Sequence, residues 1–194
     1  MNLEESYNNL FIKQHLFDKK RSSKSMRWCL PILKKYASMC DYITEMGVEY
    51  GHSTIALLSG YPKKMISYDI ERQKTIIEIE LLAAQSGIDY KFILGDSLKI
   101  NIEPTDLLFI DTLHTYRQLY SELNRHSNNV KNFILMHDTR IYGERDHVEG
   151  IGNATSKAGL MTAIKDFLLQ NKNWHMKEAT RESNGLVVLE RTYG

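Results

Sequence analysis

The chain has 194 residues, 42% of them hydrophobic, with 25 Lys and Arg against 24 Asp and Glu, 11 Gly, 3 Pro and 2 Cys. A chain of this length forms one domain that buries about 70% of the surface its unfolded form exposes. Its many aliphatic and aromatic residues exclude a disordered or collagen-like polymer. No apolar run reaches the roughly 18 residues a bilayer span needs, and Met1 to Glu5 lack the basic and apolar run of a signal peptide, so a cytoplasmic protein with no membrane partner is expected.

Charge is unevenly placed. Residues 1–40 carry eight Lys/Arg and three Asp/Glu, a balance of +5, and 41–194 carry seventeen and twenty-one, a balance of −4. The basic cluster Lys19, Lys20, Arg21, Lys24 and Arg27 reads as a solvated helix face, with an anionic partner such as nucleic acid as the alternative. Cys29 and Cys40 show neither a CxxC nor a Cys/His ligand spacing, which favours free buried thiols over a disulfide or zinc site.

In chain order, residues 3–37 read as two helices, with Leu10, Phe11, His15 and Leu16 on one face of the first and Met26, Leu30, Leu33 and Tyr36 on one face of the second. Lys19 to Ser25 link them. From residue 41 short apolar runs alternate with helical patterns. Strands are predicted at Tyr42–Met46, Lys64–Tyr68, Tyr90–Leu94, Asp106–Ile110 and Phe133–Met136, and helices at 53–60, 71–86 and 115–128. After a polar, Gly-containing stretch from Arg140 to Lys157 comes a helix at 159–171. Trp174–Thr180 and Leu186–Glu190 then face each other as a hairpin across Ser183-Asn184-Gly185.

This alternation predicts an α/β domain with a Rossmann-like seven-stranded sheet, helices on both faces and two extra N-terminal helices. The last strand should be antiparallel, because a tight turn without a crossover reverses the chain. A single domain, 1–194, is expected, with an N-terminal helical segment 1–39 and a core at 40–192.

In an open parallel sheet ligands bind at the carboxyl ends of the strands, where acidic residues gather here: Glu45, Asp69, Asp96, Asp111 and Asp138. The first strand-to-helix turn contains Glu45, Gly47, Glu49, Gly51 and Ser53. It matches neither GxGxxG nor a P-loop, and its carboxylates would repel phosphates. Gly47 and Gly51 permit a tight turn and close backbone approach, and Ser53 or Thr54 can cap the next helix. A carboxylate at Asp69 can accept both hydroxyls of a ribose, and Asp96-Ser97 sits where an adenine edge would lie. The three sites in register point to an adenosine pocket.

These residues resemble the class I S-adenosylmethionine-dependent methyltransferases, in the small catechol O-methyltransferase-like and cephalosporin hydroxylase-like branch. Glu45, Gly47, Gly51 and Ser53 are similar to that branch's E-x-G-x-x-x-G-x-S. Asp111-Thr112-Leu113-His114-Thr115-Tyr116 is similar to I-D-G-x-H-x-Y, with Thr112 where Gly is commoner. His137-Asp138-Thr139 is similar to the H-D-T or E-D-T that ends strand five. The resemblance covers about 40–192. It implies that the first turn, with Glu45 at its base, wraps the methionine end of S-adenosylmethionine, with Asp69 on the ribose, Asp96 and Ser97 by the adenine, and Asp111 shared between cofactor and catalysis.

Methyl transfer from a sulfonium needs positioning and the removal of one proton from the acceptor. His114 sits where catechol O-methyltransferase-like enzymes place a catalytic Lys, and an imidazole can act as base near neutral pH. Asp111, His137 and Asp138 form a candidate site for Mg²⁺ or, with an imidazole ligand, Mn²⁺. Arg140 to Lys157 reads as a lid over the acceptor, with Tyr142, Arg145, Asp146 and His147 as substrate contacts.

The expected function is O-methylation of a small-molecule hydroxyl, a sugar or glycan-like polyol over a flat catechol, since Tyr142 is the lid's only aromatic residue. The alternatives are a non-catalytic binding or scaffold protein on this fold and a nucleic-acid methyltransferase. The latter lacks an aromatic stacking motif beside its basic N-terminus. A homo-oligomer is compatible with the sequence.

Overall fold

Alternating apolar runs and helical segments bury both sheet faces only when helices cover each side. A computed structural model describes residues 2–16, 26–147 and 158–193. Helices α1 (Leu3–Leu16) and α2 (Leu30–Ala37) precede β1 (Tyr42–Met46), α3 (His52–Leu58), β2 (Lys64–Asp69), α4 (Thr75–Gln85) and β3 (Asp89–Leu94). They are followed by β4 (Thr105–Ile110), α5 (Tyr116–His126), β5 (Val130–His137), α6 (Leu160–Gln170), β6 (Trp174–Thr180) and β7 (Leu186–Arg191). The seven strands form one sheet in the order β3-β2-β1-β4-β5-β7-β6. As expected, β7 is antiparallel to both of its neighbours and the first five strands are parallel.

The period of two along each strand divides the core into two layers. Leu107 and Phe109 of β4, Leu135 of β5 and Val188 of β7 face the layer containing residues of α1 to α4. Leu108, Ile110, Ile134, Met136 and Leu189 face the layer that holds Leu119 and Leu123 of α5 and Ile164 and Phe167 of α6. The N-terminal helices are therefore part of the core rather than an appendage. In α1 the buried residues are Leu3, Ser6 and Tyr7, with Leu10 partly buried against them. The expected face through Phe11, His15 and Leu16 lies on side chains outside the described ones, as does the link Lys19 to Ser25. In α2 Leu30, Leu33 and Tyr36 are buried as the spacing predicts.

The hairpin connection spans 181–185, and Ser183 and Gly185 take the left-handed φ values of +53° and +94°. Its Asn184 carbonyl accepts from the Arg140 amide at 2.8 Å, which pins this turn to the segment after β5. Cys29 and Cys40 are free and buried, as expected.

Candidate active site

The strand order reverses direction between β1 and β4, and that is where the backbones separate into a crevice. A cavity of about 1090 Å³ opens there, at the carboxyl ends of the strands. Glu49, Asp69, Asp96, Asp111 and Asp138 all line it, and among the described residues no Lys or Arg does. A wall of carboxylates attracts a cationic ligand and repels phosphate.

The β1–α3 turn packs closely at both of its glycines, Gly47 against backbone and Gly51 against a side chain. Gly47 has φ +84°, and a Cβ there would stand 1.9 Å from the Asp111 carbonyl oxygen. Gly51 has φ +81°, and a Cβ there would meet Ile79 Cδ1 at 2.2 Å. Glu49 also takes a left-handed φ, +47°. Asp69 fastens this turn: its Oδ2 accepts from the amides of Val48 at 2.7 Å and Glu49 at 3.0 Å, and its Oδ1 from Glu71 at 3.1 Å. A carboxylate offers about four lone-pair sites, so acceptor capacity remains toward the cavity it lines. The residue expected on a ribose is thus also the anchor of the loop. Glu49, beside it, has its carboxyl pushed up by burial and by the charges of Asp111, Asp69 and Asp138.

Glu45 lies behind the turn, fully buried and away from the cavity lining. Its carboxylate accepts from Ser53 Oγ at 2.6 Å, Thr54 Oγ1 at 2.8 Å and Ser67 Oγ at 2.6 Å, tying β1, β2 and the start of α3 together. Ser53 therefore serves Glu45, and α3 begins without a side-chain cap. Burial pushes the Glu45 carboxyl up to about 7, against the pull of the three hydroxyls and with a further push from Asp111. A raised folded value means stability that is present below the ordinary carboxylate range and lost as pH rises through 7. Glu45→Gln removes that titration and keeps an acceptor, so its stability relative to the parent should improve from pH 5 to pH 8 by up to ~3 kcal/mol. Glu45→Ala leaves the hydroxyls unpaired and should cost ~2–4 kcal/mol at pH 5, a cost that shrinks toward pH 8 because Ala removes the same titration. Urea denaturation at the two pH values tests this, and a pH-independent difference for the Gln variant would reject the buried titration.

At the far end of the cavity Asp96 accepts from the Leu98 amide at 2.9 Å and pairs with Lys99 at 2.9 Å, which holds its carboxyl below the usual range. Ser97 is buried and donates from Oγ to Glu122 Oε1 at 2.6 Å. Glu122 is fully buried, and its carboxyl is pushed up by burial while hydrogen bonds from Ser97, Thr112 and Gln118 pull it down. The sequence reading missed Glu122 and Gln118. The available signal was the α5 stripe Leu119, Glu122, Leu123 and His126, buried at helical spacing, in which two members are polar.

The acceptor end gathers Asp111, His114, His137 and Asp138. His114 Nε2 is 3.1 Å from Asp111 Oδ1 and 3.0 Å from Asp138 Oδ2. His137 Nδ1 is 3.1 Å from Asp111 Oδ2 and 3.4 Å from Asp138 Oδ1. Burial works against charge on Asp111, His114 and His137, yet the pairing dominates: both imidazoles are raised above their ordinary value and Asp111 is held below the usual carboxylate range. Asp138 takes a left-handed φ of +58°, a local strain that aims its carboxylate at this cluster.

One expected grouping changes. The donor atoms that lie within 4.8 Å of one another belong to Asp111, His114 and Asp138, so His114 takes the place expected of His137. The His137 side chain is 2% exposed and braces Asp111 from behind. The set fits a divalent cation of borderline softness, because two carboxylates and one imidazole converge and the buried Asp138 Oδ1 has no hydrogen-bond partner among the described residues.

Residues 140–147 cover this cluster, and 148–157, the rest of the expected lid, lie outside the described residues. The Tyr142 ring stacks on His114 with centroids 4.8 Å apart and planes at 6°, and it also touches His147 at 4.6 Å. The His147 amide donates to the His114 carbonyl at 2.8 Å. Arg145 is exposed. Asp146, expected as a substrate contact, is instead buried and accepts from the Tyr116 amide at 2.6 Å at the start of α5. Of the N-terminal basic cluster only Arg27 is described, and its guanidinium stands 4.7 Å from the Trp28 ring centroid.

No family model and no curated protein matches the chain. Solved structures do. A caffeoyl-CoA O-methyltransferase-like protein from Staphylococcus aureus superposes with a TM-score of 0.62 at 14% identity, over 96% of this chain and 99% of that one. An O-methyltransferase from Bacillus cereus in complex with S-adenosylhomocysteine gives 0.58 at 14%, over 97% and 99%. The N-methyltransferase NodS from Bradyrhizobium japonicum, also in complex with S-adenosylhomocysteine, gives 0.60 at 14%, over the whole of both chains. The chain has the class I S-adenosylmethionine-dependent methyltransferase fold, the one its motifs imply. Among the described residues no helix is long and apolar enough to cross a membrane.

Proposed function

We propose that the protein is an S-adenosylmethionine-dependent O-methyltransferase acting on a hydroxyl of a small molecule, with a sugar or glycan-like polyol as the favoured acceptor. The observation that carries this reading is the cavity at the β1/β4 switch point, lined by Glu49, Asp69, Asp96, Asp111 and Asp138 without Lys or Arg among the described residues. This lining suits a cofactor bearing a sulfonium and an ammonium group and disfavours the pyrophosphate of a dinucleotide.

S-adenosylmethionine, when bound, supplies an electrophilic methyl group. The chain supplies position and a proton sink. Asp69 and the Gly47–Gly51 turn hold one end of the cavity, and Asp96 and Ser97 the other. At the acceptor end the Nε2 proton of His114 is shared between Asp111 and Asp138, so removing that proton leaves an imidazole that can take one from an acceptor hydroxyl. A divalent ion held by Asp111, His114 and Asp138 would occupy the locus of the same proton and lower the pKa of the hydroxyl. We favour the metal reading, with Tyr142 and His147 excluding water above it.

A thermal-shift comparison tests the cofactor. S-adenosylmethionine or S-adenosylhomocysteine at ~100 times its Kd stabilises by about 2.7 kcal/mol, a shift of ~5–10 °C for a chain of this size. NAD and ATP at the same concentration should shift the transition by under ~1 °C on that scale. A larger response to NAD or ATP than to either adenosyl ligand would reject the reading.

A further inference from the structure

The cavity wall beside Asp96 is built from groups that take no part in the acceptor cluster. Ser97 Oγ donates to Glu122 Oε1 at 2.6 Å, and Thr112 Oγ1 donates to the same carboxylate at 2.7 Å. Gln118 Nε2 donates to Ser97 Oγ at 3.0 Å and to Glu122 Oε1 at 2.8 Å. A primary amide has two N–H groups, and both are engaged by these contacts. Chemistry fixes the orientation, since the amide atom that meets an acceptor-only carboxylate must be the NH2. The carbonyl oxygen of Gln118 is then the amide atom left for a ligand. Ser97, Thr112 and Gln118 line the cavity, whereas Glu122 lies fully buried beneath them. Every donor in the network is spent on Glu122 or on Ser97 Oγ, and Asp96 contributes a carboxylate at the same rim. The face offered to a ligand is therefore one of acceptors.

We infer that Glu122 is a positioning residue that makes this end of the cavity select a base carrying an exocyclic amine, by locking Gln118 with its carbonyl free for the ligand. The inference rests on the S-adenosylmethionine reading above and adds to it a residue that sets base specificity without touching the base. A 6-amino purine donates to the Gln118 carbonyl. A 6-oxo purine places a second acceptor against it, and a site built to receive a donor rejects an analogue that lacks one.

The test is calorimetry with two probes, S-adenosylhomocysteine and its deaminated counterpart S-inosylhomocysteine, on the parent, Glu122→Gln and Gln118→Met. The parent should prefer the amino ligand by about tenfold or more, the scale of one hydrogen bond with an unpaired group left behind. In Glu122→Gln the neutral amide no longer dictates the orientation of Gln118, and the preference should fall to within about threefold, mostly through weaker binding of the amino ligand. Gln118→Met removes the acceptor from a half-exposed position and should flatten the ratio in the same way, so it decides the matter if Glu122→Gln does not fold. A purely structural role for Glu122 would weaken both ligands equally. An unchanged ratio in the folded variants, or no preference in the parent, overturns the inference and leaves the cofactor assignment standing. Failure of the parent to bind S-adenosylhomocysteine at all overturns both.

Discussion

Gly47→Ala should abolish measurable binding of S-adenosylhomocysteine and lower the melting temperature by ~10 °C or more. Two costs combine at this position. An L-residue at φ +84° costs ~1–2 kcal/mol, and the added Cβ would stand 1.9 Å from the Asp111 carbonyl oxygen and 2.6 Å from its carbon. Neither side can give way cheaply. The Gly47 amide donates to the Tyr68 carbonyl at 2.9 Å and the Asp111 amide to the Met46 carbonyl at 2.8 Å, so the contact lies between backbones already fixed in the sheet. Relief requires the turn to move off β4, which pulls Val48 and Glu49 from Asp69 and deforms the cavity. Gly87→Ala is the matching control, because its φ is +73° but nothing lies within 4 Å of the added Cβ. It should cost only ~1 kcal/mol and leave ligand affinity unchanged. Wild-type affinity in Gly47→Ala would show that the turn does not form the ligand site.

His114→Ala should lower methyl transfer by ~10²-fold or more while leaving the Kd for S-adenosylhomocysteine unchanged, because the side chain meets the acceptor cluster and not the adenosine end. On the metal reading EDTA suppresses the parent's activity, Mn²⁺ restores it, and raising Mn²⁺ partly rescues the variant, which keeps Asp111 and Asp138. If the imidazole alone is the base, EDTA does little and no ion rescues. Both readings need His114 unprotonated, and its value is raised above the ordinary imidazole range by Asp111 and Asp138 in spite of burial. Activity should therefore fall as pH drops through that raised value. Folding stability runs the other way: the contribution of the His114 and His137 pairing is complete below about pH 6.5 and is lost as pH rises through their folded values. EDTA-resistant transfer with full activity in His114→Ala would remove this cluster from the chemistry.

The apolar runs Leu107 to Ile110 and Phe133 to Met136, and the carboxylate closing nearly every strand, were legible because a strand's composition and its end are local properties. The antiparallel β7 was legible because parallel strands require crossovers and a tight turn forbids one, whereas the order of the strands came only with the fold. The glycine turn was readable for a similar reason, since Gly47 and Gly51 mark backbone conformations open to almost no other residue.

What Glu45, Glu122 and the two histidines do was not legible, because it depends on which partners the fold brings within 3 Å. Glu45 and Asp69 look alike as acids at strand ends, yet one is sealed behind the turn by Ser53, Thr54 and Ser67 while the other faces the cavity and holds the turn's amides. Glu122 sits in mid-helix, where a carboxylate is ordinarily solvated, and only the packing of α5 under the β3 and β4 ends buries it. Likewise His137 was the natural third metal ligand beside Asp138, but its nearly buried imidazole is taken up by Asp111 Oδ2 and Asp138 Oδ1. The loop after β4 delivers His114 to the other oxygen of each of these two carboxylates. The sequence by itself determined the sheet, its antiparallel last strand and the strand ends at which a ligand can lie. Only tertiary structure decided which polar side chains face that ligand and which hold others in place, because burial and pairing across distant segments set the charge, orientation and partners of each.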